Sequence, residues 1–163
     1  VPVTMLLLAA LAGPALATDA GASLSLIGVR SSSGHRPLHR GLIGWARFST
    51  DRSFDVEAEL AWGTAREDFL DVRIRTHLVR PAVSLSWSTG TRRAQVLGSA
   101  GVCLSLYTGG LDTLVVQARP GLKARIGVDV PVGEAWTLRW HFGLASRGLT
   151  ADAETGLGLG RSL

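Results

Sequence analysis

The side chains best equipped for chemistry in this 163-residue chain are four histidines, one cysteine and a scatter of charges. A serine nucleophile must lie within hydrogen-bond reach of its base. His141 is followed at a distance by Ser146 and Glu154, a spacing that does not establish that reach. His35 and His39 are close in sequence, but no cysteine or carboxylate accompanies them as a zinc site requires. They read as solvated loop residues. No catalytic centre, metal or cofactor is expected, and the lone Cys103 cannot form an internal disulfide.

The charges say more. Lys and Arg number 17 against 13 Asp and Glu, a formal charge of +4. Clustered basic residues would suggest phosphate neutralisation on nucleic acid. Here Lys123 is the sole lysine and the arginines are dispersed among apolar residues, with no zinc-ligand spacing or RNA-binding signature. Nucleic-acid binding is not expected. Instead the charges fall on alternate positions. Arg47, Asp55, Glu57 and Glu59 share one face of two neighbouring segments, and Arg119, Lys123, Arg125, Arg139 and His141 share a face of another pair. The elements that carry them must therefore repeat every two residues.

The segments do so. From Leu114 to Val130 the even positions are all apolar, while Gln117, Arg119, Lys123, Arg125 and Asp129 occupy odd ones. Trp136, Leu138, Trp140, Phe142 and Leu144 alternate with Thr137, Arg139, His141, Gly143 and Ala145. Phe54, Val56, Ala58, Leu60 and Trp62 alternate with Asp55, Glu57, Glu59 and Ala61. Period two over such lengths marks strands with one face in oil, and roughly nine to eleven residues suffice to cross a bilayer. A hydrophobic share of 46%, with 20 glycines, fits strands and turns better than helices. Eight segments are expected, near Ser23–Arg30, Gly41–Phe48, Phe54–Thr64, Val72–Trp87, Ala94–Tyr107, Leu114–Val130, Trp136–Ala145 and Glu154–Leu163. Ser31–Arg40, Ala65–Asp71 and Ser146–Ala153 are expected as long loops. Ser49–Ser53, Ser88–Arg93 and Pro131–Ala135 are expected as short turns, as in outer-membrane barrels. Thr108–Thr113 is no longer than the turns. In the fourth segment, Val72, Ile74, Thr76 and Leu78 suggest one phase, while Val83, Leu85 and Trp87 suggest the other. A bulge near Arg80-Pro81 would switch it; an extended hairpin carrying Arg73 and Arg75 above the bilayer is the alternative.

Residues 4–17 read TMLLLAALAGPALA, an apolar run, a Gly-Pro break and an Ala-x-Ala ending. This is the order of a secretory signal, although no basic residue precedes the run. Cleavage after Ala17 is expected, dividing the chain into a signal peptide, 1–17, and a barrel domain, 18–163.

The strand-and-turn rhythm, the segments RPAVSLSW (Arg80–Trp87) and ARPGLKARIGVDVPVGEAWTLRW (Ala118–Trp140), and the C-terminal strand resemble small outer-membrane barrels related to the transmembrane domain of OmpA and to OmpX. The resemblance covers the whole chain after residue 17. It implies an all-β, eight-stranded antiparallel transmembrane barrel, an up-and-down meander in the bacterial outer membrane. It also implies a final strand read by the barrel-assembly machinery, here with Leu157, Leu159 and Leu163 in alternation and Arg161 interrupting. Some barrels of this size are lipid A deacylases with a His-x-Ser-Asn run, which Gly143 breaks here. A barrel of eight strands has a lumen just wide enough to be filled by side chains. Three function classes follow. The first is a monomeric structural or surface-interaction barrel, plugged by its lumen charges, with Arg36, His39 and Arg40 facing lipopolysaccharide phosphates or a partner. The second is a small channel, which conductance would distinguish. The third is a soluble periplasmic carrier, which solubility without detergent would distinguish.

Overall fold

The computed structural model describes residues 17–29, 37–49, 53–69, 72–91, 93–109, 115–147 and 150–163. Residues 1–16 of the expected signal peptide lie outside this set. Eight strands follow one another: β1 (Ala17–Gly28), β2 (Leu38–Phe48), β3 (Asp55–Phe69), β4 (Val72–Gly90), β5 (Gln95–Gly109), β6 (Val115–Val132), β7 (Trp136–Arg147) and β8 (Thr150–Ser162). Each pairs antiparallel with the next, and β1 pairs with β8 from Asp19↔Ser162 to Gly28↔Ala153. The sheet therefore closes as a barrel, which leaves no edge with unpaired backbone groups.

Alternation decides which side chains fill it. Leu24, Leu122, Ile126, Trp140 and Leu157 point outward and are half or more exposed, while Arg80, Arg139, His141 and Glu154 are buried. The usual rule of a soluble protein is inverted. Large apolar side chains are exposed on all eight strands, an exterior unlike that of a soluble monomer.

Three features differ from the sequence-based expectation. The loops expected at Ala65–Asp71 and Ser146–Ala153 are mostly strand, with pairing carried to Phe69↔Val72 and Arg147↔Thr150. A run of polar residues does not by itself end backbone pairing. β1 begins at Ala17, well before Ser23; the small residues between them carry little hydropathic contrast. The phase of β4 does not switch at Pro81. Its register with β3 runs unbroken from Asp55↔Ser86 to Phe69↔Val72. Only the ladder to β5 skips Arg80 and Pro81, between Val79↔Leu106 and Ala82↔Cys103. Proline lacks the N–H such a ladder needs, and the structure absorbs that loss without a bulge. Leu78 consequently points inward and, with Ile27, Val29, Ile43 and Ala61, forms an apolar cluster at the loop end of the lumen.

At the opposite end of the barrel, the β4–β5 and β6–β7 turns are tight. Gly133 adopts φ 74°, the left-handed region that glycine tolerates best, between β6 and β7. Between β4 and β5 the Thr91 N–H donates to the Ala94 carbonyl at 2.9 Å.

Candidate functional site: the charged lumen

Inward positions of seven strands converge on one connected set of charges. At the turn end the Arg139 guanidinium grips Asp129 with two bonds of 2.8 Å and donates to Glu57 at 3.1 Å. This two-pronged geometry is the strong form of a charge-assisted bond. Arg47 reaches Asp19 at 3.5 Å, Glu57 at 3.6 Å and Asp129 at 3.9 Å. Between the two arginines lies Trp45, with the Arg139 guanidinium 3.7 Å from its ring centroid and that of Arg47 at 5.9 Å. Cation–π attraction of this kind grows as the site is desolvated.

Arg125 sits one level deeper and pairs with both Glu57 and Glu59. Lys123 pairs with Glu59 and, at 2.6 Å, with Glu154. Towards the loop end Arg80 binds Glu154 at 3.4 Å and also pairs with Asp152. Its Nε donates to Ser105 at 2.8 Å and its Nη2 to the Tyr107 hydroxyl at 3.2 Å. That hydroxyl in turn donates to Asp152.

Traced along the barrel, the order is Asp152, Arg80, Glu154, Lys123, Glu59, Arg125, Glu57, Arg139, Asp129, Arg47, Asp19. Anion and cation alternate at every step. A buried charge is tolerated only when paired and hydrogen-bonded, and each member from Arg80 to Arg47 has an opposite charge on both sides. At the turn-end portion, a cavity lined by Arg47, Glu57, Arg125, Arg139 and His141 has a volume of about 10 Å³, no more than one water requires.

The residues singled out in the sequence are distributed as follows. Arg47, Glu57, Glu59, Lys123, Arg125 and Arg139 join this ladder. Asp55 keeps the inward phase but is only half-buried, at the turn end. His141 is buried against Gly127 and Gly156, and neither ring nitrogen has a partner among the described residues. Arg119 is exposed rather than part of the ladder: pairing of β6 with β7 starts only at Lys123↔Ala145, so Arg119 lies past the end of its neighbour. His39, expected on a loop, is buried in the lumen with Nε2 3.2 Å from Thr76 Oγ1. β2 begins three residues earlier than its apolar pattern suggests. Arg40 consequently lies on the outer wall of that strand and is exposed. Arg36 and His35 lie outside the described residues.

Arg80, Asp152, Glu154, Asp129 and Asp19 complete the ladder without having been singled out. Asp129 shared the polar face of β6 with Lys123 and Arg125, and that face was the available signal. Asp152 and Glu154 are two apart, but only the true start of β8 puts both on its inner face.

No protein-family model matches the chain, nor does any curated protein. Solved structures do. The crystal structure of Neisserial surface protein A superposes with a TM-score of 0.72 at 14% identity, covering 89% of this chain and 95% of that one. Ail, the attachment invasion locus protein of Yersinia pestis, in complex with the heparin analogue sucrose octasulfate, gives 0.64 at 11%, covering 89% and 95%. The N-terminal β-barrel domain of Pseudomonas aeruginosa OprF gives 0.61 at 16%, covering 91% and 99%. The chain thus has the fold of the small eight-stranded outer-membrane β-barrels.

Proposed function

We propose that this protein resides in the bacterial outer membrane as a monomeric, plugged barrel. Its role there is structural or surface-interacting rather than transport or catalysis. The observation that carries the reading is the pairing of an apolar outer wall with a lumen filled by one alternating ion-pair ladder. The wall demands lipid, and the ladder occupies the space a conducting path would need. The loop end is the portion offered to lipopolysaccharide or to a partner. The exposed Leu157 and Leu159 of β8, with Leu163 just after it, give the assembly machinery the outward apolar residues it would read.

Reconstitution into planar bilayers tests the plug. The wild-type barrel is expected to give no discrete conductance steps at moderate voltage. Steps of uniform size, lost when the protein is omitted, would contradict the plugged reading and favour a small channel.

A further inference from the structure

The outer wall changes character abruptly between two adjacent rows of the sheet. One row runs Leu24↔Leu42↔Trp62↔Val79↔Leu106 and is wholly apolar. The next row towards the loop end runs Leu26↔Arg40↔Thr64↔His77↔Thr108, apolar on β1 and polar or charged from β2 to β5. Beyond it Arg66 and Arg75 lie directly opposite each other on β3 and β4. Arg40, Arg66 and Arg75 are all exposed.

Like charges placed opposite across a strand pair repel. Directly opposed positions lie roughly 5 Å apart and diagonal ones about 7–8 Å, so these three arginines share a patch the size of one or two phosphate groups. The patch is confined to one side: on β6 the outer face stays apolar up to Val116 and Ala118. Tryptophan favours the membrane interface, and Trp62 lies in the row immediately beneath the arginines.

We propose that this patch binds the phosphates of a phosphorylated outer-leaflet lipid, whose acyl chains lie against Leu42, Trp62, Val79 and Leu106. The inference rests on the membrane reading above and adds to it the headgroup chemistry and the place. Arg66 and Arg75 supply the phosphate ligands, with Arg40 alongside; guanidinium forks suit phosphate oxygens. An amphiphile satisfies both rows at once, whereas a free anion satisfies only the upper one.

The test uses the folded chain in maltoside micelles, titrated with bisphosphorylated lipid A and with its dephosphorylated form. The wild type is expected to bind the phosphorylated lipid at least tenfold more tightly. R40Q/R66Q/R75Q is expected to lose that margin while keeping the fast gel mobility of a folded barrel before boiling. R161Q, at the turn end, is expected to retain it. Equal binding of the two lipids, an undiminished margin in the triple variant, or equal displacement by millimolar inorganic phosphate would each overturn the proposal while leaving the membrane reading intact. A wild-type chain that needs no detergent and shows no mobility shift would remove both.

Discussion

Arg80 is fully buried and joined to Asp152, Glu154, Ser105 and Tyr107, so its removal orphans more than one partner. Breaking one side of a buried ion pair costs about 3–5 kcal/mol, because the remaining charge stays desolvated. Arg80→Met is therefore expected to destabilise the folded barrel by that amount in urea titrations within micelles. The double variant R80M/D152N should recover part of the loss; a single variant as stable as wild type would show that the ladder does not hold this end together. Trp45 is the second residue of consequence. Its indole lies against the Arg139 guanidinium and occupies the space left by Gly21 and Gly160. Trp45→Ala is expected to cost about 3–5 kcal/mol from lost packing, read in the same titration. The charges of Arg47, Glu57, Glu59, Lys123, Arg125 and Arg139 were legible because clean alternation put them on one face. Arg80 was not, because Ile74 and Leu78 look like outward residues to a reader of hydropathy. Only the closed barrel reveals that the lumen has an apolar layer for Leu78 to enter.

At the scale of the strand, close approach sets the limits. A Cβ added at Gly101 on β5 would lie 2.1 Å from the Val83 carbonyl oxygen of β4, a contact only backbone movement relieves. Gly101→Val is expected to prevent closure, leaving no fast-migrating unboiled band; a normal folded yield would refute the tight packing of β4 on β5. Pro81 offers the opposite test. The β4–β5 ladder skips it while the β4–β3 ladder does not. Pro81→Ala should restore one hydrogen bond and stabilise by about 0.5–1.5 kcal/mol, with no change in register. A loss of stability would mean that proline rigidity outweighs the missing bond. All eight strands could be read from period-two alternation, but their ends could not. Alternation fades where polar residues fall on both parities of the sequence, as from Arg66 to Asp68, or where residues are small, as from Ala17 to Ala22. Backbone pairing continues through both, since it depends on the neighbouring strand rather than on hydropathy.

The whole molecule is an inside-out protein whose two surfaces solve different problems. Outward leucines, valines and tryptophans need hydrocarbon, and inward charges need one another. Neither face is stable in water alone, so the barrel depends on its solvent as much as on its sequence. Eight strands fix the lumen's width, and that width lets carboxylates and cations from opposite walls meet directly. Fold class was readable because each strand carries both halves of this arrangement. The order of the ladder was not, because it joins residues up to 82 positions apart, as between Glu57 and Arg139. The measurement that bears most directly on the account is fractionation of cells expressing the chain, with gel mobility compared before and after boiling. The account predicts a detergent-extracted outer-membrane band that migrates faster unboiled. A soluble band with the same mobility in both states would contradict it.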